Sequence, residues 1–236
     1  MHTKITFQSE TDCITIKSLM GIIPNSIIDP NILIPKPKIL EEFTSSVNTD
    51  KSQQYVAYYL SSLPKNIRDK MLIKLNKIHL NDSDKSERDN IEPKINQFLH
   101  PLLLLEWLRI NKSYGYGYTI SNQKEIGKKL FEAIISCQSY DLPQWLFSNW
   151  GTKWQPELVS QSDLSILFIT ADTHPFKYIR KLSEKAPNIE MYIDFADESP
   201  FNNTFGNYLI HNGNTSILEQ KPKYEILSKI KKGYNS

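Results

Sequence analysis

Leu164-Ser165-Ile166-Leu167-Phe168-Ile169-Thr170 reads as a β-strand, an apolar run of the length a sheet accepts. Downstream, Pro175 opens a helix that carries Phe176, Ile179 and Leu182 and closes before Pro187. Ile189-Glu190-Met191-Tyr192-Ile193-Asp194-Phe195 is a second strand, and Asn203 to His211 is a third that ends in Asn212-Gly213, a pair suited to the positive φ angles of a tight hairpin. Just upstream stands Trp150-Gly151-Thr152-Lys153-Trp154, two indoles bracketing a glycine and a lysine. The C-terminal half is therefore strand, helix, strand, strand.

The N-terminal end repeats part of that pattern. Lys4 to Gln8 alternate, with Ile5 and Phe7 on one face. Ser9 or Thr11 can cap the helix that follows, which continues through Cys13, Ile14, Ile16, Lys17 and Met20 to Gly21, where a left-handed turn is sterically cheap. Asp29-Pro30-Asn31-Ile32-Leu33-Ile34-Pro35-Lys36-Pro37 is a short apolar run fenced by prolines, which reads as an edge strand or an extended segment laid over the core.

Between the two ends the period becomes helical. Tyr55, Tyr58, Tyr59 and Leu60 form one stripe, and Ile67, Met71, Leu72, Leu75 and Ile78 form another beyond Pro64. A polar loop over 81–93 leads to the apolar segment Ile95 to Ile110, and a further helix runs from about Asn122 to Cys137. Two strand-helix-strand halves with right-handed crossovers can share one antiparallel sheet. The expectation is an α+β chain with a split ferredoxin-like sheet formed by both chain ends: residues 1–40 with 150–215, a mostly helical insertion over 41–149, and a C-terminal helix or tail over 216–236.

Composition narrows the function classes. With 236 residues, 39% hydrophobic and 23% charged, the chain can bury a core unaided, and a net charge of +2 lacks the lopsided balance of a typical polyanion binder. Cys13 and Cys137 sit among apolar residues, which suits reduced thiols. Met1 to Gly21 lack the pattern of a secretion signal, and no apolar run reaches the roughly 18 residues of a membrane span. A cytoplasmic protein with no membrane partner is expected.

The opening strand and helix, the Ile32-Leu33-Ile34-Pro35-Lys36-Pro37 segment before Leu40-Glu41, and Trp145 followed by Asn149-Trp150-Gly151-Thr152-Lys153-Trp154 resemble the YubB ferredoxin-like family, Api-like proteins of plasmids and prophages. That resemblance implies a ferredoxin-like domain built from both ends of the chain and a helical middle. It implies no reaction and no catalytic residue.

Candidate sites follow from residue chemistry. Trp150 and Trp154 can stack a base or a partner's side chain while Lys153 reaches a phosphate; equally, the indoles can lock the insertion to the sheet. Tyr114, Tyr116 and Tyr118 alternate with glycines on a loop that suits an interface or a packed hairpin; it lacks the third glycine of a dinucleotide fingerprint. Asp172, His174 and Asp194, with Asp197 and Glu198 nearby, lie where strands end and can hold a divalent ion if those ends meet, although their spacing matches no metal motif. Five scattered histidines show no zinc spacing, and Cys137 lacks the setting of a nucleophile. Lys221, Lys223, Lys229, Lys231 and Lys232 can touch phosphates or form a solvated helix face. Phe168, Tyr192 and Phe195 are strand aromatics out of phase for an RNA-stacking face.

No metal, cofactor or catalytic residue is expected. The leading expectation is a non-enzymatic interaction protein of a phage or plasmid that binds and inhibits a host or bacterial defence protein. A nucleic-acid binder using the tryptophan-lysine motif and basic tail is the alternative, and a metal-dependent hydrolase the third.

Overall fold

The computed structural model describes residues 1–25, 27–43, 49–83, 120–139, 141–171, 173–199, 201–219 and 221–232. Tyr114, Tyr116, Tyr118, the apolar segment Ile95 to Ile110 and Asp172 lie outside them. The chain is α+β, and its described residues form two units, Met1–Lys36 with Leu146–Ser236, and Pro37–Trp145.

The first unit is a six-stranded antiparallel sheet in the order β2-β3-β1-β4-β5-β6. Its strands are β1 (His2–Thr6), β2 (Glu157–Ser162), β3 (Ser165–Ile169), β4 (Met191–Ala196), β5 (Phe205–His211) and β6 (Asn214–Ile217). Helix α1 (Glu10–Leu19) follows β1, and a short α2 (Ile22–Asn25) follows α1. Helix α7 (Phe176–Lys185) joins β3 to β4, and α8 (Lys223–Lys231) follows β6. The order β2-β3-β1-β4, with one helix after β1 and one after β3, is the ferredoxin-like arrangement, and β5 and β6 extend it beyond β4.

Local chemistry sets the ends of these elements. The Ser9 side chain accepts from the Asp12 amide and starts α1, and Gly21 takes φ +76° just after it. Asn212 and Gly213, at φ +47° and +73°, make the two-residue turn that pairs His211 with Asn214.

Two points differ from the sequence reading. The second strand of the ferredoxin-like core is β2, after the insertion, so the insertion separates α1 from β2 and does not separate two complete halves. The proline-fenced run is no edge strand: Pro30–Ile32 forms a 3-10 turn capped by Asp29, whose side chain accepts from the Asn31 amide at 3.0 Å, and Leu33 and Ile34 pack on the core. Strand β2 escapes period-two reading because its pairing with β3 shifts between Leu158 and Ser160.

Each face of the sheet is covered. Ile5, Ile166, Phe168, Met191, Ile193 and Ile210 meet Cys13 and Ile16 of α1, Met20 at its C-terminal cap, and Ile179 and Leu182 of α7 in the main core. Burying a side chain of this kind contributes about 1.5–3 kcal/mol. On the opposite face, Leu167 and Ala196 pack against Ile226 and Ile230 of α8. The C-terminal helix belongs to the first unit.

The second unit holds α3 (Thr49–Ser61), α4 (Lys65–Ser83) and α5 (Ile120–Cys137), and α6 (Leu142–Trp150) runs across the boundary between the units. Helices α3 and α5 pack closely at Gly127, where a Cβ would stand 1.9 Å from the Tyr55 carbonyl oxygen. Val56, Ala57, Leu60, Leu130, Phe131 and Ile134 are buried. Cys13 is buried and Cys137 only half-buried, and both are free thiols.

Candidate interaction surface

The register brings one set of loops to a common end of the sheet. Ile169 pairs with Glu157 on one side and His2 on the other, His2 pairs with Ala196, and Ala196 pairs with Phe205. The described residues of the segments 151–156, 170–175 and 197–204 therefore all emerge at this end. They span the five strands from β2 to β5, four intervals of roughly 4.8 Å.

The tryptophan motif divides between interior and surface. Trp150 is 1% exposed, its Nε1 donates to the Ile34 carbonyl at 3.0 Å, and the Lys36 ammonium stands 5.8 Å from its ring centroid. A ring so buried cannot stack on a ligand; it packs within the sheet unit. Gly151, at φ +79°, lets the chain pass Pro175, whose Cα would lie 3.2 Å from an added Cβ, and Thr173 donates its hydroxyl to the Gly151 carbonyl. The chain then turns outward, leaving Lys153 exposed and Trp154 63% exposed.

Sequence reading passed over a second exposed aromatic. Phe201, in the β4–β5 loop, is 98% exposed, and Ile217 on edge strand β6 is 88% exposed. The only signal for the first was a dense Asp, Ser and Asn turn composition around it. Ile217 borders a groove of about 490 Å3 together with His174, Phe176, Phe195, Gly206 and Tyr208. Gly206 forms its close-packed floor, since a Cβ there would come within 2.8 Å of the Phe195 ring.

His174 is fixed in the groove wall. Its Nδ1 lies 3.1 Å from the Thr3 hydroxyl and its Nε2 2.7 Å from the Tyr208 hydroxyl, and its ring stacks on Phe195 at 4.1 Å. Burial holds its pKa down at about 3 and pushes the Tyr208 phenol well above its usual range. The imidazole is neutral at physiological pH with both nitrogens engaged.

Asp194 neighbours Phe195 along β4, so it faces the opposite side of the sheet from His174. It is 3% exposed and accepts from the Lys229 ammonium at 2.5 Å. The meeting of these two residues that the metal-dependent alternative needs is therefore not formed. Among the described residues no group of three His, Cys, Asp or Glu side chains is placed to hold one.

The basic tail is likewise engaged. Lys223 donates to the Ser199 and Asn202 carbonyls, Lys229 pairs with Asp194, and Lys231 stands 3.4 Å from Glu198. The strand aromatics form no open platform: Phe168 is in the main core, Phe195 is under His174, and Tyr192 donates to Glu190 beside Gln8.

Fold and surface together define an α+β protein with an extended ferredoxin-like sheet and a loop end that exposes two aromatic side chains. No family model matches the chain, and no curated protein matches it. Among solved structures it is similar to the crystal structure of a protein api92 from Yersinia pseudotuberculosis, of the family DUF1281, at 11% identity and a TM-score of 0.29, over 94% of this chain and 97% of that one. A score that low carries no inference about what this chain does. Among the described residues no helix is long and apolar enough to cross a membrane.

Proposed function

We propose that this chain is a non-enzymatic interaction protein that presents the aromatic end of its sheet to another protein. The observation that carries the reading is the exposure of Trp154 and Phe201, at 63% and 98%, on loops that the strand register brings to the same end. Exposed aromatics on a rigid scaffold bury large area at low entropic cost, the usual chemistry of interface hot spots. The finer reading, a partner among host or bacterial defence proteins met by a phage or plasmid, draws its support from the sequence resemblance alone.

The nucleic-acid alternative has less behind it. Trp150 is interior, and three of the five tail lysines are bound to groups of the protein itself. Polyanion binding rests on lysines placed to neutralise phosphates.

The experiment is site-specific photocrosslinking in cells, with the crosslinker at position 154 or 201 and a control at Asn212, which lies at the other end of the sheet. Discrete protein adducts at 154 and 201, lost when the other of the two aromatics is changed to alanine, are expected. Equal labelling at all three positions would remove the reading. Salt-sensitive nucleic-acid adducts would favour the alternative.

A further inference from the structure

The β4–β5 loop is organised around an ammonium group supplied by a distant part of the chain. Asp197 accepts from the Ser199 amide at 2.8 Å and from the Asn202 side chain at 2.5 Å. The Asn202 side-chain oxygen accepts from the Thr204 amide and hydroxyl, and the Asp197 amide donates to the Thr204 carbonyl at 3.0 Å. From the first turn of α8, Lys223 sends its Nζ to the Ser199 carbonyl at 2.7 Å and the Asn202 carbonyl at 2.5 Å. The Ser199 amide holds the Asp197 carboxyl below its usual range, with Asn202 and the Lys223 charge adding to the effect.

Two converging carbonyls beside a carboxylate make the environment of a bound cation, and here the cation is tethered. A lysine fits this role better than an arginine, being a compact charge with three donors rather than a planar fork. Phe201 lies between the two carbonyl-bearing residues in sequence. We propose that Lys223 is a positioning residue, an internal cation that fixes residues 197–199 and 202–204 of the β4–β5 loop and so presents Phe201 in one preformed orientation. The role of Phe201 as a contact rests on the function proposed above; the ordering of the loop by Lys223 stands apart from it.

The energetics favour such a device. Ordering backbone costs about 1–2 kcal/mol per residue, and a contact loop ordered in advance does not meet that cost on binding. Helix α8 is held to the sheet by Ile226, Ile230 and the Lys229–Asp194 ion pair, so the cation arrives already positioned. Loop order and docking of α8 are thereby one coupled event.

The test is amide hydrogen exchange on the full chain carrying Lys223→Met, which keeps the stem and removes the charge. Exchange at Asn202 and Thr204 should rise by about tenfold or more, the scale of a lost charged hydrogen bond. The β4 amides should be unchanged, and added ammonium should restore protection where tetramethylammonium does not. Unchanged exchange at Asn202 and Thr204 overturns the inference.

If Lys223→Met does not fold, the Lys223 ammonium protons of the unaltered protein are observed directly by nitrogen-15 NMR. Slow exchange with water supports the inference, and rapid exchange overturns it. Loss of loop order with undiminished crosslinking at position 201 would refute Phe201 as a preformed contact and leave the tethered cation intact. Retained loop order in Lys223→Met with undiminished crosslinking at position 201 would do the reverse.

Discussion

The indole N–H of Trp150 donates to the carbonyl of Ile34 at 3.0 Å, joining the two places where the chain leaves the sheet unit for its insertion and returns from it. Lys36 closes over the same ring. A buried tryptophan with its one donor satisfied both fills the core and fixes where the excursion begins and ends.

Replacing Trp150 with alanine should cost about 3–5 kcal/mol, the range for deleting a large buried aromatic. Trp150→Phe should cost less, keeping most of the apolar volume but leaving the Ile34 carbonyl without this donor. Trp154→Ala should shift stability by no more than about 0.5 kcal/mol, as expected for an exposed side chain. Urea denaturation of the three variants checks the ordering; equal losses at 150 and 154 would contradict the inside-outside division of the motif.

Acid should weaken the fold through His174. Its folded pKa lies near 3 against 6.5 for a free imidazole, so the unfolded chain binds the proton more readily. The neutral ring's contribution is complete above about pH 6.5 and is lost as pH falls from there toward 3. Melting temperature measured across that interval should fall for the unaltered protein and less steeply for His174→Phe. Parallel curves would show that the imidazole titrates as it does in water.

The Asp194 carboxylate, 3% exposed, depends on the half-exposed Lys229. Lys4 adds a second charge beside them; desolvation first, and repulsion from Lys229 second, hold its pKa down. Lys229→Met should cost about 1–3 kcal/mol by leaving a buried charge short of its partner. Proteolysis of α8 under native conditions should accelerate in that variant, and an unchanged cleavage rate would show that apolar packing alone holds the helix.

Gly213 sits at φ +73° in the β5–β6 turn and donates its amide to the Ser183 hydroxyl at 3.0 Å. Gly213→Ala should cost about 1–2 kcal/mol, the penalty of placing a Cβ in the left-handed region. The side chain it would approach is the flexible stem of Glu184, which can move aside, so backbone strain is the deciding contribution. A melting temperature within 1 °C of the unaltered protein, on the scale of about 2–4 °C per kcal/mol for a chain of this size, would contradict it.

Strands β1, β3, β4 and β5, helices α1 and α7, and the Asn212-Gly213 turn were all legible because each is dictated by near neighbours: alternation, a capping serine, a proline, a glycine. Strand β2 was not, since its bulge breaks the alternation that announces a half-buried strand. Misplacing that strand also misplaced the insertion in the topology. Of the candidate tryptophan-lysine motif, Trp154 and Lys153 lie at the surface, whereas the burial of Trp150 depends on residues more than a hundred positions away.

Local sequence determined which segments become strands, helices and turns, because propensity, capping and period act over a few residues. Only the tertiary structure decided which face each residue occupies and what it meets. It turned His174 and Asp194 to opposite sides of the sheet, brought Lys223 into the β4–β5 loop, and left Phe201 in solvent. Burial, desolvation and hydrogen-bond partners are set by strand pairing across the chain, and those non-local contacts gave each of these side chains its chemical character.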